Sequence, residues 1–238
     1  MSSSSLPAQA DVGAGSKLGR AAGFGYLAIF VTGIAWYAPM QGFRAGGDAV
    51  LLGHIRDGRQ LFEVSVLAGA ASFVAYLVTA VLLYRRFSAE AGIAAGLLFT
   101  FVVASVPVSL VAVARETQLL TLLDAVGLSV QDQQAQAALI MRDFDTLSRV
   151  SSLFWGLWLL PLAWLAFRSG GIGLLVGVFL ALGGIGYMSI FVMPLLGPAH
   201  PLGPVDFTFA GATVLSEFVV TLWLILAADR PRKLALRP

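Results

Sequence analysis

Six predominantly apolar stretches, each near 20 residues long, alternate with polar or glycine-rich segments along the chain. A helix of about 20 apolar residues is long enough to cross the hydrocarbon core of a bilayer. The pattern therefore predicts an all-α integral membrane protein, a bundle of six transmembrane helices. The predicted spans cover residues 21–40, 61–84, 91–114, 150–167, 172–196 and 207–228.

The segments outside the spans complete the predicted domain organisation. A Ser/Ala/Gly-rich N-terminal tail, residues 1–16, is expected to be disordered. One membrane domain then covers residues 17–229, and a basic tail covers residues 230–238.

The two longest connections are expected to hold amphipathic helices. Residues 41–60 contain a mildly amphipathic stretch that suits the membrane surface. In the connection 115–147, the helix of the preceding span is expected to continue as far as Gly127. Ser129 and Asp132 match a capping box and predict the start of a second helix there.

The basic residues predict the orientation of the bundle, because cytoplasmic segments of membrane proteins carry an excess of Lys and Arg. One side collects both tails and the short turns after the second and fourth spans. It carries only three acidic residues, Asp11, Glu90 and Asp229. Its basic residues are Lys17, Arg20, Arg85, Arg86, Arg168, Arg230, Arg232, Lys233 and Arg237. Both termini are therefore predicted to be cytoplasmic, and the long connections extracytoplasmic.

Composition supports this class and excludes several chemistries. Charged residues make up 12% of the chain, against about 25% in soluble domains. The basic residues lie at span ends, so we read them as topology and expect the lipid bilayer, not nucleic acid, as partner. The chain has no Cys, and its only histidines, His54 and His200, fall in predicted loops. We therefore predict no cofactor, no metal site and no assigned catalytic residue.

Glu217 is the most informative residue of the sequence, because it lies at the centre of the last apolar stretch. A carboxylate there is about 15 Å from either membrane surface. An acid at that depth costs about 2.5–3.5 kcal/mol on insertion scales, so it is rarely left without a partner or a use.

Polar residues of other spans are predicted to lie at the depth of Glu217. The candidate ligand-binding residues are Glu217, Tyr187, Ser105, Ser72, Thr213 and Arg149. Two interpretations are open: a site for a ligand, a proton or an ion, or a protonated Glu217 that holds helices together.

Three further groups each have a functional and an ordinary interpretation. Seven charged residues form either a polar mouth above Glu217 or ordinary ion pairs at helix ends: Glu63, Arg115, Glu116, Arg142, Asp143, Asp145 and Arg149. His54, His200 and Asp57 either meet outside or are solvated. Four tryptophans, Trp155, Trp158, Trp164 and Trp223, either wall a lipophilic pocket or face lipid.

Two sequence features are interpreted structurally. Trp36 and Tyr37, near the far end of the first span, fit an interfacial aromatic belt. The small residues of GGIGYM, residues 183–188, predict close helix contact inside the membrane.

Four segments resemble the uncharacterised six-span bacterial membrane proteins grouped as domain of unknown function 4386. They read GRAAGFGYLAIFVTG, VLLYRRF, FWGLWLLPLAWLAFRSGGIGLLVGVFLALGGIGYM and LSEFVVTLWLIL. The resemblance covers residues 17–229 and implies the same fold, a place in the bacterial inner membrane and a Glu at position 217. The chain departs from the family pattern at Gly173, often Pro, and at Glu63, often Arg. The resemblance implies no activity.

Three hypotheses for function follow. The first is a multi-pass membrane protein that binds or passes a small or lipophilic ligand near Glu217. The second is an accessory or sensory protein whose extracytoplasmic loops contact a partner. The third is an intramembrane enzyme with Glu217 as acid or base, which lacks an obvious nucleophile or metal.

Overall fold

The structure, a computed structural model, describes residues 8–197 and 203–227, and side chains within residues 17–197 and 214–226. The described chain is helical apart from short connections. Its elements are α1 (Ala8–Arg44), α2 (Asp48–Asp57), α3 (Arg59–Leu123), α4 (Val130–Arg168), α5 (Ile172–Leu196) and α6 (Gly203–Ala227). Helix α1 begins inside the segment that the sequence predicts to be disordered, and the tail 230–238 lies outside the described residues.

Helix α3 is a hairpin of two antiparallel arms, which we call the first arm (residues 59–90) and the second arm (residues 92–123). Its only non-helical backbone lies at Ala91, with φ −154° and ψ 60°. The rings of Tyr84 and Phe99 lie 5.6 Å apart, and Arg59 hydrogen-bonds Asp124 across the far ends. The chain therefore reverses at Ala91, between the predicted second and third spans.

The reversal comes later than the sequence predicts, because Arg85 and Arg86 belong to the first arm and not to a turn. An ion pair from Arg86 to Glu90, 2.8 Å long, supports the last helical turn of this arm. Phe87 is buried there, and the guanidinium of Arg86 lies 5.2 Å from its ring centre. Burial of the Phe87 side chain stabilises the helix beyond Arg85 and Arg86, so the helix continues past them.

The helices form a closed ring around a common interior. Helix α3 packs against α1 and α4, α4 against α5, α5 against α6, and α6 returns to α1. The short α2 contacts α1, α3 and α4. Its apolar side, Leu51, Leu52 and Ile55, is buried against the bundle, so the predicted amphipathic helix is present.

The long connection after α3 is helical on both sides of a tight turn, as predicted. Gly127 adopts a positive φ of 87°, which glycine tolerates without strain. Ser129 is the N-cap of α4, and its hydroxyl accepts a 3.1 Å hydrogen bond from the Asp132 amide. Helix α4 then runs without a break from this connection into the predicted fourth span.

Helices α4 and α5 approach each other closely, as the small residues of the sequence predict. A Cβ atom added to Gly156 would lie 2.4 Å from the carbonyl oxygen of Gly184 and 2.5 Å from Met188 Cγ. Only glycine fits such a backbone contact, a device common between membrane helices.

Four helices of the described chain are long and apolar enough to cross a membrane, and they include α3, α4 and α5 with part of α1. Helix α6 contributes a shorter apolar stretch, Val214–Leu226. Large apolar side chains such as Leu67, 70% exposed, and Ile93, 85% exposed, cover the outside of the bundle. Such a surface indicates a membrane-embedded protein.

Candidate functional site

Glu217 on α6 is joined directly to Tyr187 on α5. The Tyr187 hydroxyl donates a hydrogen bond of 2.5 Å to Oε1 of Glu217. Thr221, one turn further along α6, donates instead to the backbone carbonyl of Glu217. Of the predicted neighbours, Tyr187 is therefore the one that holds the carboxyl group.

Two more tyrosines surround this pair, from α1 and from the first arm of α3. Tyr26 and Tyr76 are buried, and both lie within electrostatic range of Glu217. Their rings pack on Trp158, with centroid distances of 5.4 Å and 4.7 Å. The Tyr26 hydroxyl has no hydrogen-bond partner within the described chain. The Tyr76 hydroxyl lies near that of Ser105 but outside hydrogen-bond geometry, and the Ser105 hydroxyl donates to Val102. Two buried donors are thus left open beside the carboxyl group.

Trp155 adds a third open donor at the same level. Its ring lies 5.7 Å from that of Tyr187 and 5.9 Å from that of Phe73. The indole Nε1 is buried and has no partner among the described residues. Like Trp158, this residue packs against aromatic rings of other helices, a placement that suits the pocket-wall interpretation.

The other two predicted wall residues differ from Trp155 and Trp158. Trp164 is 43% exposed and lies under the guanidinium of Arg168, 4.8 Å from it. Trp223 is partly buried against the core.

The remaining predicted site residues do not join Glu217 in the same way. Ser105 is buried beside Tyr76, and its hydroxyl donates to the Val102 carbonyl. Ser72 donates to the carbonyl of Ile29 and joins the first arm of α3 to α1.

Two further candidates are not placed at the carboxyl group. The side chain of Arg149 is exposed, so the structure does not bring this cation to Glu217. The side chain of Thr213 lies outside the described residues.

A second carboxyl group, Glu116, lies at the other end of the interior and is fully buried. Its side chain has no solvent exposure, and the indole N–H of Trp36 donates to both oxygens, at 2.8 Å and 3.1 Å. The sequence offers Glu116 either a polar mouth or ordinary ion pairing at a helix end, and it assigns Trp36 to an interfacial belt. In the structure both side chains are buried, and each supplies the other with a partner. Tyr37, by contrast, is 60% exposed.

The exposed charges around that end form ion pairs with one another. Arg44 binds Asp145 through two hydrogen bonds of 2.8 Å and 2.9 Å. Arg115 lies 3.5 Å from Asp143. These contacts agree with the ordinary interpretation, ion pairing at helix ends.

A further ion pair closes the open end of the α3 hairpin. Arg59 bonds both oxygens of Asp124, at 2.8 Å and 2.9 Å, and also Glu63 at 3.0 Å. The Arg59 guanidinium holds the pKa of the Asp124 carboxyl below its ordinary value.

The predicted histidine site is tested only in part. The Nδ1 atom of His54 lies 3.0 Å from the carbonyl oxygen of Phe43, and His200 lies outside the described residues. Within the described side chains, no group of three or more His, Cys, Asp or Glu residues is placed to hold a metal ion.

Comparison with known proteins supports the resemblance seen in the sequence. No curated protein and no solved structure matches the chain. One family model matches residues 21–228, which is most of the chain, and its description assigns no activity. The chain belongs to the family described as domain of unknown function (DUF4386).

Proposed function

We propose that this chain is a six-span protein of the bacterial inner membrane that binds, or passes, a small and largely apolar ligand beside Glu217. The distribution of basic residues supports a cytoplasmic location for both termini. Six crossings are supported by the α3 hairpin, since each arm exceeds the roughly 20 residues that a crossing needs. Helix α6, 25 residues long, supplies the last crossing.

The observation that carries the ligand proposal is the set of open donors around Glu217. Tyr26, Tyr76 and Trp155 each present a buried N–H or O–H without a partner in the described chain. A buried donor without a partner costs about 1–3 kcal/mol, and native proteins rarely keep several together without water or a ligand to satisfy them.

The same groups indicate the chemistry of the ligand. Aromatic rings form the wall, so most of the ligand surface is apolar. The open groups are hydrogen-bond donors, so the ligand carries at least one acceptor such as a carbonyl or ether oxygen. Glu217 and its bond to Tyr187 fix the polar end of the site.

Three tyrosine-to-phenylalanine variants test this proposal. In ligand-free protein, Tyr26→Phe and Tyr76→Phe are expected to raise the free energy of unfolding by about 1 kcal/mol each, because they remove open hydroxyls. Tyr187→Phe is the matched control and is expected to lower it by about 1–3 kcal/mol, because Glu217 loses its donor. Thermal unfolding in lipid nanodiscs measures all three.

Ligand binding is then measured by thermal-shift screening of small lipophilic carbonyl compounds. A compound that stabilises the wild type is expected to bind about ten-fold more weakly to the Tyr26→Phe, Tyr76→Phe double variant. If both single variants instead destabilise the protein as Tyr187→Phe does, the hydroxyls have protein partners and the ligand proposal fails.

A second candidate function is favoured by apolar side chains exposed around the turn between α3 and α4. Val126 is 99% exposed, Val130 71% and Leu139 59%. This surface suits contact with a partner protein through the extracytoplasmic connection. A protein that only offers such a surface has no use for open donors beside Glu217, so the tyrosine variants also separate the two candidates.

A further inference from the structure

Glu116 is buried and has no ion partner among the side chains that the structure describes. Its carboxyl oxygens are held by Trp36, and the nearest basic group on α1, Arg44, is committed to Asp145. Trp36 is itself fixed: a Cβ atom at Gly69 would lie 2.9 Å from its ring. A carboxyl group buried in this way is stable when it carries a proton.

Between Glu116 and the level of Glu217 lie two buried serines whose hydroxyls have no hydrogen-bond partner among the described residues. Ser109 is on the second arm of α3 and is 1% exposed; Ser151 is on α4 and has no exposure. The contact of Arg115 with Asp143 sets the register of these antiparallel helices. Counting from that contact brings Ser109 and Ser151 to nearly the same depth, about two helical turns inward from Glu116.

These two serines differ from other buried serines of the bundle. Ser65 and Ser152 each donate to a carbonyl of their own helix, at 2.7 Å, which is the usual arrangement inside a membrane helix. Hydroxyls that are buried and open are normally satisfied by ordered water. One turn further inward, Ser105 and Tyr76 continue the line of hydroxyls to the surroundings of Glu217.

We propose that Glu116 is a second proton-binding site, and that water held by Ser109 and Ser151 connects it to Glu217. A protonated Glu116 gives its proton to the first water, each water passes one proton onward, and the Glu217 carboxylate accepts the last. One O–H bond breaks and one forms at each step, so charge and atoms balance. This inference shares Glu217 and Tyr76 with the ligand proposal, but its own observations are Glu116, Ser109 and Ser151, so its test can fail without the ligand proposal failing.

The groups that face the two carboxyls come from every helix packed against them. Around Glu116 these are Trp36 and Arg44 from α1. The charged groups of the second arm and of α4 at the same end are held in ion pairs, Arg115 with Asp143 and Asp145 with Arg44. From the first arm of α3, Gly69 and Phe73 pack against Trp36. Around Glu217 they are Tyr26, Tyr76, Trp155 and Tyr187.

Difference infrared spectroscopy of the full chain in proteoliposomes tests the proposal. Protonated carboxyl groups give a C=O stretching band that shifts in D₂O, and Glu116→Gln and Glu217→Gln assign the two bands. In wild-type protein both bands are expected, and the Glu217 band is expected to shift soon after the outer solution is changed to D₂O. Absence of a Glu116 band at every pH where the protein is folded overturns the proposal without any variant.

The exchange rate of the Glu217 band then tests the path. We expect two variants to slow this exchange by about ten-fold or more: Glu116→Gln, and the double variant Ser109→Ala with Ser151→Ala. Each removes a group that donates or relays the proton. The double variant Ser65→Ala with Ser152→Ala is the matched control and is expected to keep the wild-type rate. Equal exchange rates in the two serine double variants would show that the hydroxyls of Ser109 and Ser151 take no part in proton transfer.

Discussion

At the scale of single residues, the buried carboxyl group of Glu116 and the partly buried one of Glu217 are each held by an aromatic donor; among the described side chains, no cation holds either. Tyr187 serves Glu217 and Trp36 serves Glu116. The side chains of Tyr and Trp are largely apolar but carry one hydrogen-bond donor. They can therefore donate a hydrogen bond to a carboxyl group without adding a second charge to an interior that excludes water. This choice leaves both acids with neutral neighbours.

The Asp124 carboxyl offers a residue-scale prediction at the open end of the α3 hairpin. Its pKa is held below the ordinary value by Arg59, so Arg59→Gln is expected to raise the pKa of Asp124 back to the ordinary value of an exposed Asp. A depressed folded-state pKa contributes stability above the unfolded value and loses it as the pH falls through the folded value. Carboxyl-carbon NMR titration measures the midpoint.

The neighbouring variant Arg56→Gln is the control for this titration and is expected to leave the midpoint of Asp124 unchanged. A midpoint in the wild type equal to that of Arg59→Gln would contradict the ion pair in solution.

The sequence can predict one of the two carboxyl sites and not the other. Glu217 and Tyr187 lie at the same depth when residues are counted from the membrane surface, and both are isolated polar groups among apolar ones. Glu116 follows Arg115 at the end of a predicted span, where charges are ordinarily solvated. Nothing in the local pattern distinguishes it. Only the fold brings Trp36 from α1 to this position.

At the scale of helices, the α3 hairpin shows what hydrophobic pattern does and does not determine. The pattern separates two spans, and the structure confirms a reversal between them. It does not fix where the chain turns, because Arg85 and Arg86 resemble a turn while Phe87 packs inward as part of the helix. Burial of the Phe87 ring in the tertiary structure outweighs the local preference of Arg85 and Arg86 for a turn.

The contact between α4 and α5 gives the element-scale prediction. Gly156→Ala is expected to destabilise the protein by about 1–3 kcal/mol, because the added methyl group collides with the Gly184 carbonyl and with Met188. Gly96→Ala is the matched control in a helix with open space, and it is expected to be neutral or stabilising. Thermal unfolding in the same detergent compares the two. Equal effects would mean that the helices are not in close contact.

At the scale of the whole molecule, the arrangement of helices predicts the sides on which the connections lie. The chain has no Cys, so single cysteines are clean probes. Val126→Cys, in the turn after α3, is expected to react with a membrane-impermeant maleimide in intact cells. Ala89→Cys, beside the reversal at Ala91, is expected to react only after the membrane is opened. Labelling of both from one side would contradict the six-span arrangement.

The closure of the ring by α6 has a consequence for biosynthesis. Of the six helices, α6 is synthesised after the other five, yet it contacts α1, which precedes them in the chain, as well as α5. The carboxyl group of Glu217 therefore leaves the ribosome after its hydroxyl donor on α5 has already been synthesised. Tyr187 is therefore already present when Glu217 leaves the translocon. The Glu217 side chain can then pack against protein without first contacting lipid. A chain that stops before residue 217 would leave the seam between α1 and α5 open to lipid.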